Sequence, residues 1–182
     1  MNFLSHDNVL RHKEYLKDLK LKYSVLLKSY PEISGLDLRG IFNSRLAKEE
    51  KHEGLELLSN ILMHELFFKS FCDSFSPSSA VKESYGSEAN FLYEIEKEAL
   101  ERDDCGFIIV FFDRKNRLDF SFCKGFSEIL VNVTPILSVD LWEHAYFGDY
   151  GFDKKRYVRQ ALSFLNFNKI NEFSQNILKK RT

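Results

Sequence analysis

The run from Asp140 to Tyr146 constrains this chain most, because it sets a carboxylate and an imidazole four residues apart. Apolar or small residues lead into Asp140, and a carboxylate that leaves a buried strand is costly unless it is paired or bound to a cation. His12 and His64 lie far upstream in helix-like segments and could reach the same point. Three neutral imidazoles and one carboxylate suit a redox-capable first-row metal. The pattern predicts a fold in which this strand end meets two distant helices.

Each histidine of this set has a simpler interpretation when it is taken alone. His64 lies on an apolar helix and could be a hydrogen-bonded core histidine, while charged neighbours suggest a solvated face for His12. His6 is close enough to be confused with His12, and His144 could be a structural histidine near an Asp that caps a helix. The convergence of all four residues favours the metal site over these alternatives.

The first 77 residues predict a long antiparallel helical hairpin. Ser5 is a suitable N-cap for a helix that runs to about Lys28, and Pro31 ends it. Residues 33–43 read as irregular. Apolar residues then recur with a 3.6-residue period, which predicts a second long helix from near Ala47 to Cys72 or a little beyond. Two long helices joined by a short link favour an antiparallel hairpin.

Residues 78–182 predict an α/β lobe, so that the chain as a whole belongs to the α+β class. Short helices are expected up to Ser84 and over 87–102. The apolar run 106–112, a turn and the alternating segment 118–122 then predict a β-hairpin. A third strand should include 136–140 and complete an antiparallel sheet. Helical patterns return from Leu141 to the end, with breaks near 148–151 and 165–168. The metal site would lie between this lobe and the helical hairpin.

Composition excludes several kinds of partner. The 182 residues carry a formal net charge of −1, which gives no reason to expect binding to nucleic acid or to an anionic membrane. No stretch approaches the roughly 20 apolar residues of a membrane span. The start of the chain lacks a secretory pattern, and we expect a cytoplasmic protein. Three cysteines argue against a disulfide framework, and we expect Cys105 and Cys123 on adjacent strands as buried thiols.

The segment 135–146, which contains Asp-Leu-Trp-Glu-His, resembles the signature of the iron/manganese superoxide dismutases. Residues 60–68 look like the helix that carries that family's second ligand, and residues 5–12 are similar to its first-ligand segment, with a Ser seven residues before the His. Ser84-Tyr85-Gly86-Ser87 resembles the start of a middle helix of the family. The similarity covers nearly the whole chain in the same order.

The resemblance implies a function and a role for each candidate residue. The ligands of one Fe or Mn ion per chain would be His12, His64, Asp140 and His144. Superoxide would be converted to dioxygen and hydrogen peroxide, an antioxidant activity. Trp142 would help to exclude solvent, and Asn60, one helical turn before His64, would bond a metal-bound water and tune its pKa.

The chain departs from the family pattern around the entrance to the site. Leu16 and Lys20 stand where family members commonly carry a His and a Tyr, and Phe147 replaces a second Tyr. If the register differs, Tyr15 or Tyr23 could stand at the entrance instead. Lys20 could attract an anion such as superoxide, or it could simply be a solvated lysine.

The resemblance also implies a homodimer, in which Glu143 contacts His144 of a second subunit. The simpler interpretation of Glu143 is a glutamate favoured at the start of a helix. Two other functions remain open. The chain could be a dismutase-like protein that binds metal or a partner with weak or no turnover, or a helical scaffold whose histidines never meet.

Overall fold

The computed structural model describes residues 2–102, 104–126 and 128–179. The helices in this part of the chain are α1 (His6–Ser29), α2 (Leu38–Phe42), α3 (Lys48–Phe67), α4 (Ser79–Tyr85), α5 (Glu88–Leu100), α6 (Glu143–Tyr150), α7 (Lys154–Ser163) and α8 (Phe167–Lys179). The strands are β1 (Phe107–Phe112), β2 (Leu118–Cys123) and β3 (Thr134–Asp140). This arrangement confirms the predicted α+β class.

Helices α1 and α3 form the antiparallel hairpin. Lys20, in the middle of α1, pairs with Glu65 near the end of α3 at 2.6 Å. Leu26, further along α1, lies beside Gly54 near the start of α3. The contacts therefore run in opposite directions along the two helices. The predicted cap of α1 is confirmed, because the Ser5 side chain accepts a hydrogen bond from the Asn8 amide.

The link between these helices is more regular than the sequence predicted. Residues 33–43 were expected to be irregular, yet they contain α2, whose N-cap Asp37 accepts a hydrogen bond from the Gly40 amide. Leu38 and Ile41 of α2 are buried. A helix this short is held by packing and its cap, and its periodicity is too brief to detect.

Helix α3 ends earlier than predicted, at Phe67 instead of Cys72. The amides of Lys69 and Ser70 turn back to carbonyls three residues earlier, which tightens the chain. The amide of Cys72 then bonds the Phe164 carbonyl at 2.8 Å. Tertiary hydrogen bonds thus replace the last helical turn that the apolar pattern suggested.

The described strands form an antiparallel sheet in the order β2-β1-β3. Central strand β1 is buried along its whole length. Ile108, Val110 and Phe112 join a core cluster with residues of α5 and α7, while Phe107, Ile109 and Phe111 join a second cluster with residues of α1, α2 and α3. Alternate side chains of one strand therefore connect the C-terminal helices to the helical hairpin.

The three cysteines all lie within the described residues and form no disulfide, as predicted. Cys123, at the end of β2, is buried as predicted. The prediction for Cys105 was wrong, because this residue precedes β1 and is partly exposed, as is Cys72. None of the described helices is both long and apolar enough to cross a membrane. The domain boundary at residue 77 stays a prediction.

Candidate metal centre

Four elements bring one polar side chain each to a common point. His12 lies in the first half of α1, His64 in the last turn of α3, Asp140 at the end of β3 and His144 in the first turn of α6. One donor atom from each of these residues lies within 4.8 Å of every other. The structure therefore brings together all four residues that the sequence nominated as ligands.

The donor atoms of this cluster converge on the carboxylate of Asp140. Its Oδ2 lies 3.0 Å from Nε2 of His12, 3.4 Å from Nε2 of His64 and 3.2 Å from Nε2 of His144. Although these atoms are close, Asp140 Oδ2 and His12 Nε2 are not aligned for hydrogen bonding with any described residue. Buried polar atoms left without partners are costly. A cation bound among them would satisfy both atoms, so the donor set fits a metal ion.

The imidazole of His64 is prepared to act as a ligand. Its Nδ1 lies 2.7 Å from the backbone carbonyl of Asn60. A carbonyl can only accept, so Nδ1 carries the proton and the lone pair of Nε2 faces the cluster. Burial lowers the pKa of His64 to about 4, despite the nearby charge of Asp140. The side chain is therefore neutral at neutral pH, as metal binding requires.

The carboxylate of Asp140 is ionised and firmly oriented. Burial acts to raise its pKa, but the imidazoles of His12 and His144 outweigh that effect and hold the pKa far below the ordinary value of 3.8. Its other oxygen, Oδ1, accepts a hydrogen bond from the Trp142 amide at 2.8 Å. One oxygen is thus fixed by the backbone while Oδ2 faces the three imidazoles.

Asn60 and Trp142, the two other predicted site residues, lie next to the cluster. The side-chain amide of Asn60 donates to the Glu56 carbonyl at 2.8 Å, so it is the backbone of Asn60 that contacts His64. Trp142 is partly buried against the second core cluster, and its indole nitrogen is buried without a described partner. The roles predicted for both residues stay predictions.

Of the two tyrosines considered for the entrance, Tyr15 contacts the imidazoles of the cluster. Its ring centroid lies 4.5 Å from that of His144 and 5.3 Å from that of His64, and 41% of the residue is exposed. Burial, and then the charge of Asp140, raise the pKa of Tyr15. Tyr23, the other candidate for the entrance, packs against the second core cluster. Tyr15 therefore lies between the imidazoles and solvent.

Lys20 is engaged in an ion pair. Its ammonium lies 2.6 Å from a carboxylate oxygen of Glu65, the residue after His64. The two side chains are half exposed, so the pair is solvated. Because the charges of Lys20 and Glu65 offset each other, the pair creates little net electrostatic field to attract an anion.

A shallow cavity of about 230 Å³ opens beside His144. Asn8 forms one wall, and its amide donates to the Ala145 carbonyl and to Asp149, which ties α1 to α6. Phe147 forms another wall and is 47% exposed. The side chain of His144 is 30% exposed, so this ligand candidate borders solvent.

Several residues that support the site gave no indication of their role in the sequence. They contact it through tertiary hydrogen bonds or ring packing, which a single sequence does not encode as a pattern. These residues are Asn8, Ser70 and Tyr157.

The fold and the cluster define an α+β protein with a candidate site for one metal ion, made of three histidines and an aspartate. Residues 74–173 match the C-terminal domain of the iron/manganese superoxide dismutases. Since this match covers more than half of the chain, the protein belongs to that family.

Relatives with curated descriptions agree with this assignment. The chain is 25% identical to a manganese superoxide dismutase of Acinetobacter baylyi over 184 residues, which span 93% of this chain and 77% of that protein. It is 29% identical to a manganese/iron superoxide dismutase of Rickettsia typhi over 161 residues, or 85% of this chain and 74% of the relative. It is 32% identical to a chloroplastic iron superoxide dismutase of Oryza sativa over 88 residues, or 47% and 34% of the two chains.

Proposed function

We propose that this protein is a superoxide dismutase that uses one Fe or Mn ion per chain. The ligands would be His12, His64, Asp140 and His144. The observation that carries the proposal is the convergence of four donors from α1, α3, β3 and α6, two of them buried without a hydrogen-bond partner. Packing alone gives no reason to collect such groups at one point.

The reaction converts two superoxide ions and two protons into one dioxygen and one hydrogen peroxide. A bound Fe or Mn ion would supply the one-electron redox chemistry. Ionised Asp140 would offset part of the charge of that ion. The rings of Phe67 and Phe107, packed against His12 and His64, would keep bulk water from the ligands.

Tyr15 would act at the boundary between this site and solvent. Its ring covers one side of the His64 and His144 imidazoles, and its hydroxyl stays protonated because the pKa is raised. A small anion approaching from that side would have to pass this side chain. The family position for an entrance Tyr is occupied by Lys20, so Tyr15 would serve from another turn of α1.

Metal content and turnover of protein purified without a tag test the proposal. We expect close to one Fe or Mn per chain, together with consumption of superoxide. His12→Ala should lose both, whereas His6→Ala, which removes an exposed histidine of the same helix, should keep both. Retention of stoichiometric metal and full activity in His12→Ala would contradict the assignment.

A second candidate function is a dismutase-like protein that binds metal with weak or no turnover. The altered entrance favours it, because Tyr15 covers the cluster and apolar Leu16 and Phe147 replace polar family residues. Direct measurement of superoxide consumption by metal-loaded protein separates the two functions. Metal without turnover would favour the second.

We also propose a homodimer that uses the surface around Glu143. Phe147 and Phe152 are 47% and 90% exposed there, and their rings lie 5.1 Å apart. Exposed aromatic side chains grouped in this way are typical of interfaces. Sedimentation showing only monomer at high protein concentration would contradict this proposal. The predicted cytoplasmic location would be tested by cell fractionation.

A further inference from the structure

Asp140 lies on the outer edge of the sheet, where its backbone needs a partner from outside the strands. Among the described residues, strand β3 pairs with β1 on one side and with no strand on the other. Asp140 lies opposite Phe107, and the amide of Leu141 donates to the Gly106 carbonyl at 2.8 Å. In an antiparallel ladder this pattern marks Asp140 and Phe107 as a non-hydrogen-bonded pair. The carbonyl of Asp140 therefore faces away from β1.

Tyr157 of α7 supplies the missing donor. Its hydroxyl donates to the Asp140 carbonyl at 2.7 Å, and the side chain is fully buried. The ring is fixed by its neighbours, because it stacks on Tyr146 with centroids 4.8 Å apart and meets Tyr150 edge-on at 5.6 Å. A hydroxyl held this rigidly can define the position of the peptide that it contacts.

The contact acts on the one anionic residue of the proposed ligand set. The backbone carbonyl of Asp140 accepts a hydrogen bond from Tyr157, and the side-chain Oδ1 of Asp140 accepts one from the Trp142 amide. Only Oδ2 faces the imidazoles, so its direction depends on the backbone of Asp140 staying in place. If the peptide at Asp140 rotated, Oδ2 would move relative to all three Nε2 atoms.

We propose that Tyr157 is a positioning residue for the metal centre, which it serves by fixing the backbone of Asp140 through its hydroxyl. The inference rests on the proposed metal site, and it concerns metal binding instead of turnover. Partners that orient metal ligands from outside the coordination sphere commonly contribute 10- to 100-fold to metal affinity.

Tyr157→Phe tests the inference, and Tyr150→Phe is its matched control. Both variants keep the ring and remove a hydroxyl that donates to a backbone carbonyl, but the Tyr150 hydroxyl bonds Phe3, which is not a ligand candidate. Affinity for manganese is measured by competition with a chelator, and the melting temperature is measured on the metal-free forms.

We expect Tyr157→Phe to weaken manganese binding by about tenfold or more and to shift the visible absorption of the oxidised manganese form. Tyr150→Phe should bind manganese within about twofold of the wild type, although it loses thermal stability as well. Equal affinity in the wild type and Tyr157→Phe, with only the metal-free melting temperature lowered, would overturn the inference.

A second measurement does not depend on a variant that folds. A crystal structure of the manganese-loaded wild type should keep the hydrogen bond between Tyr157 and the Asp140 carbonyl. Separation of these oxygens beyond 3.5 Å would overturn the inference. A wild-type protein that binds manganese but has no dismutase activity would overturn the proposed function, and the affinity comparison would still decide the role of Tyr157.

Discussion

Ser70 offers a sharp test of how the helical hairpin is attached to the sheet. Its hydroxyl accepts a hydrogen bond from the amide of Ser138 in β3 and donates to the carbonyl of Leu66 in α3, each at 2.7 Å. Ser138 lies opposite Ile109, and it precedes Asp140 by two residues in the strand. Its amide therefore points away from β1, as the backbone of Asp140 does. The hydroxyl therefore joins the helix that carries His64 to the strand that carries Asp140.

Replacing Ser70 with Ala leaves the Ser138 amide without this acceptor. Both residues are fully buried, so water does not reach the amide in the folded protein. The Leu66 carbonyl still accepts a hydrogen bond from the Lys69 amide in this variant, so the Ser138 amide is the group that loses its partner. Leaving one buried donor unpaired costs about 1–3 kcal/mol. For a chain of 182 residues, about 2 kcal/mol corresponds to a fall in melting temperature of roughly 4–8 °C.

The assay is thermal unfolding of metal-free protein followed by circular dichroism. Ser24→Ala is the control, because the Ser24 hydroxyl is exposed and bonds the Leu21 carbonyl of its own helix. Surface changes of this kind stay within about 0.5 kcal/mol. If Ser70→Ala melted within about 1 °C of the wild type, the hydrogen bond from the Ser138 amide to the Ser70 hydroxyl would not contribute to stability as the structure indicates.

Three further predictions concern the surface of the site. Tyr15→Ala should accelerate azide binding to the metal-loaded protein severalfold, while Tyr15→Phe should not, because the ring covers the imidazoles. The binding rates are measured by stopped-flow absorption, and equal rates in the wild type and both variants would refute the covering role. Lys20→Gln should leave the dismutation rate and its salt dependence unchanged, since Lys20 is already paired with Glu65; a large loss of rate at low salt would show steering. Asp149→Ala should lower the free energy of unfolding at pH 7 by about 1 kcal/mol, measured by chemical unfolding, because the carboxylate accepts hydrogen bonds from the Ser5 amide and the Asn8 side chain. The loss is small because the carboxylate is exposed and its charge is screened by solvent. Because folding lowers the pKa of Asp149 below its ordinary value of 3.8, the difference should be present above pH 4 and vanish as the pH falls through the folded pKa; a difference independent of pH would contradict this origin.

The long elements of the fold were predictable because their local patterns agree with their tertiary environment. Ser5 caps α1 as expected. Apolar residues of α3 are either buried, as Ile61 is, or partly buried against the second core cluster, as Leu58 and Leu62 are. The turn after β1 contains Asn116 at a φ of 60°, a conformation that Asn tolerates, so the hairpin also followed from local chemistry. Helix α2 and the early end of α3 were missed because packing and distant hydrogen bonds decide them.

The candidate site was predictable only in part. Asp140 and His144 stand out in the sequence because an Asp at the end of an apolar strand demands a partner. His12 does not stand out, since charged residues surround it, yet the structure leaves it 1% exposed. The resemblance to the family, and not periodicity, selected it over His6. The sequence offered Tyr15 and Tyr23 as alternatives for the entrance, and it is Tyr15 that contacts the imidazoles. The contact of Tyr157 could not be predicted, because its partner Asp140 lies 17 residues away in the sequence.

The most direct test of the metal centre is anomalous diffraction at the iron and manganese absorption edges from crystals of protein grown with both metals. We expect one strong peak per chain, of a single element, within bonding distance of His12, His64, Asp140 and His144. A map without a peak beside Asp140 despite ample metal, or a peak that His12 does not contact, would contradict the account.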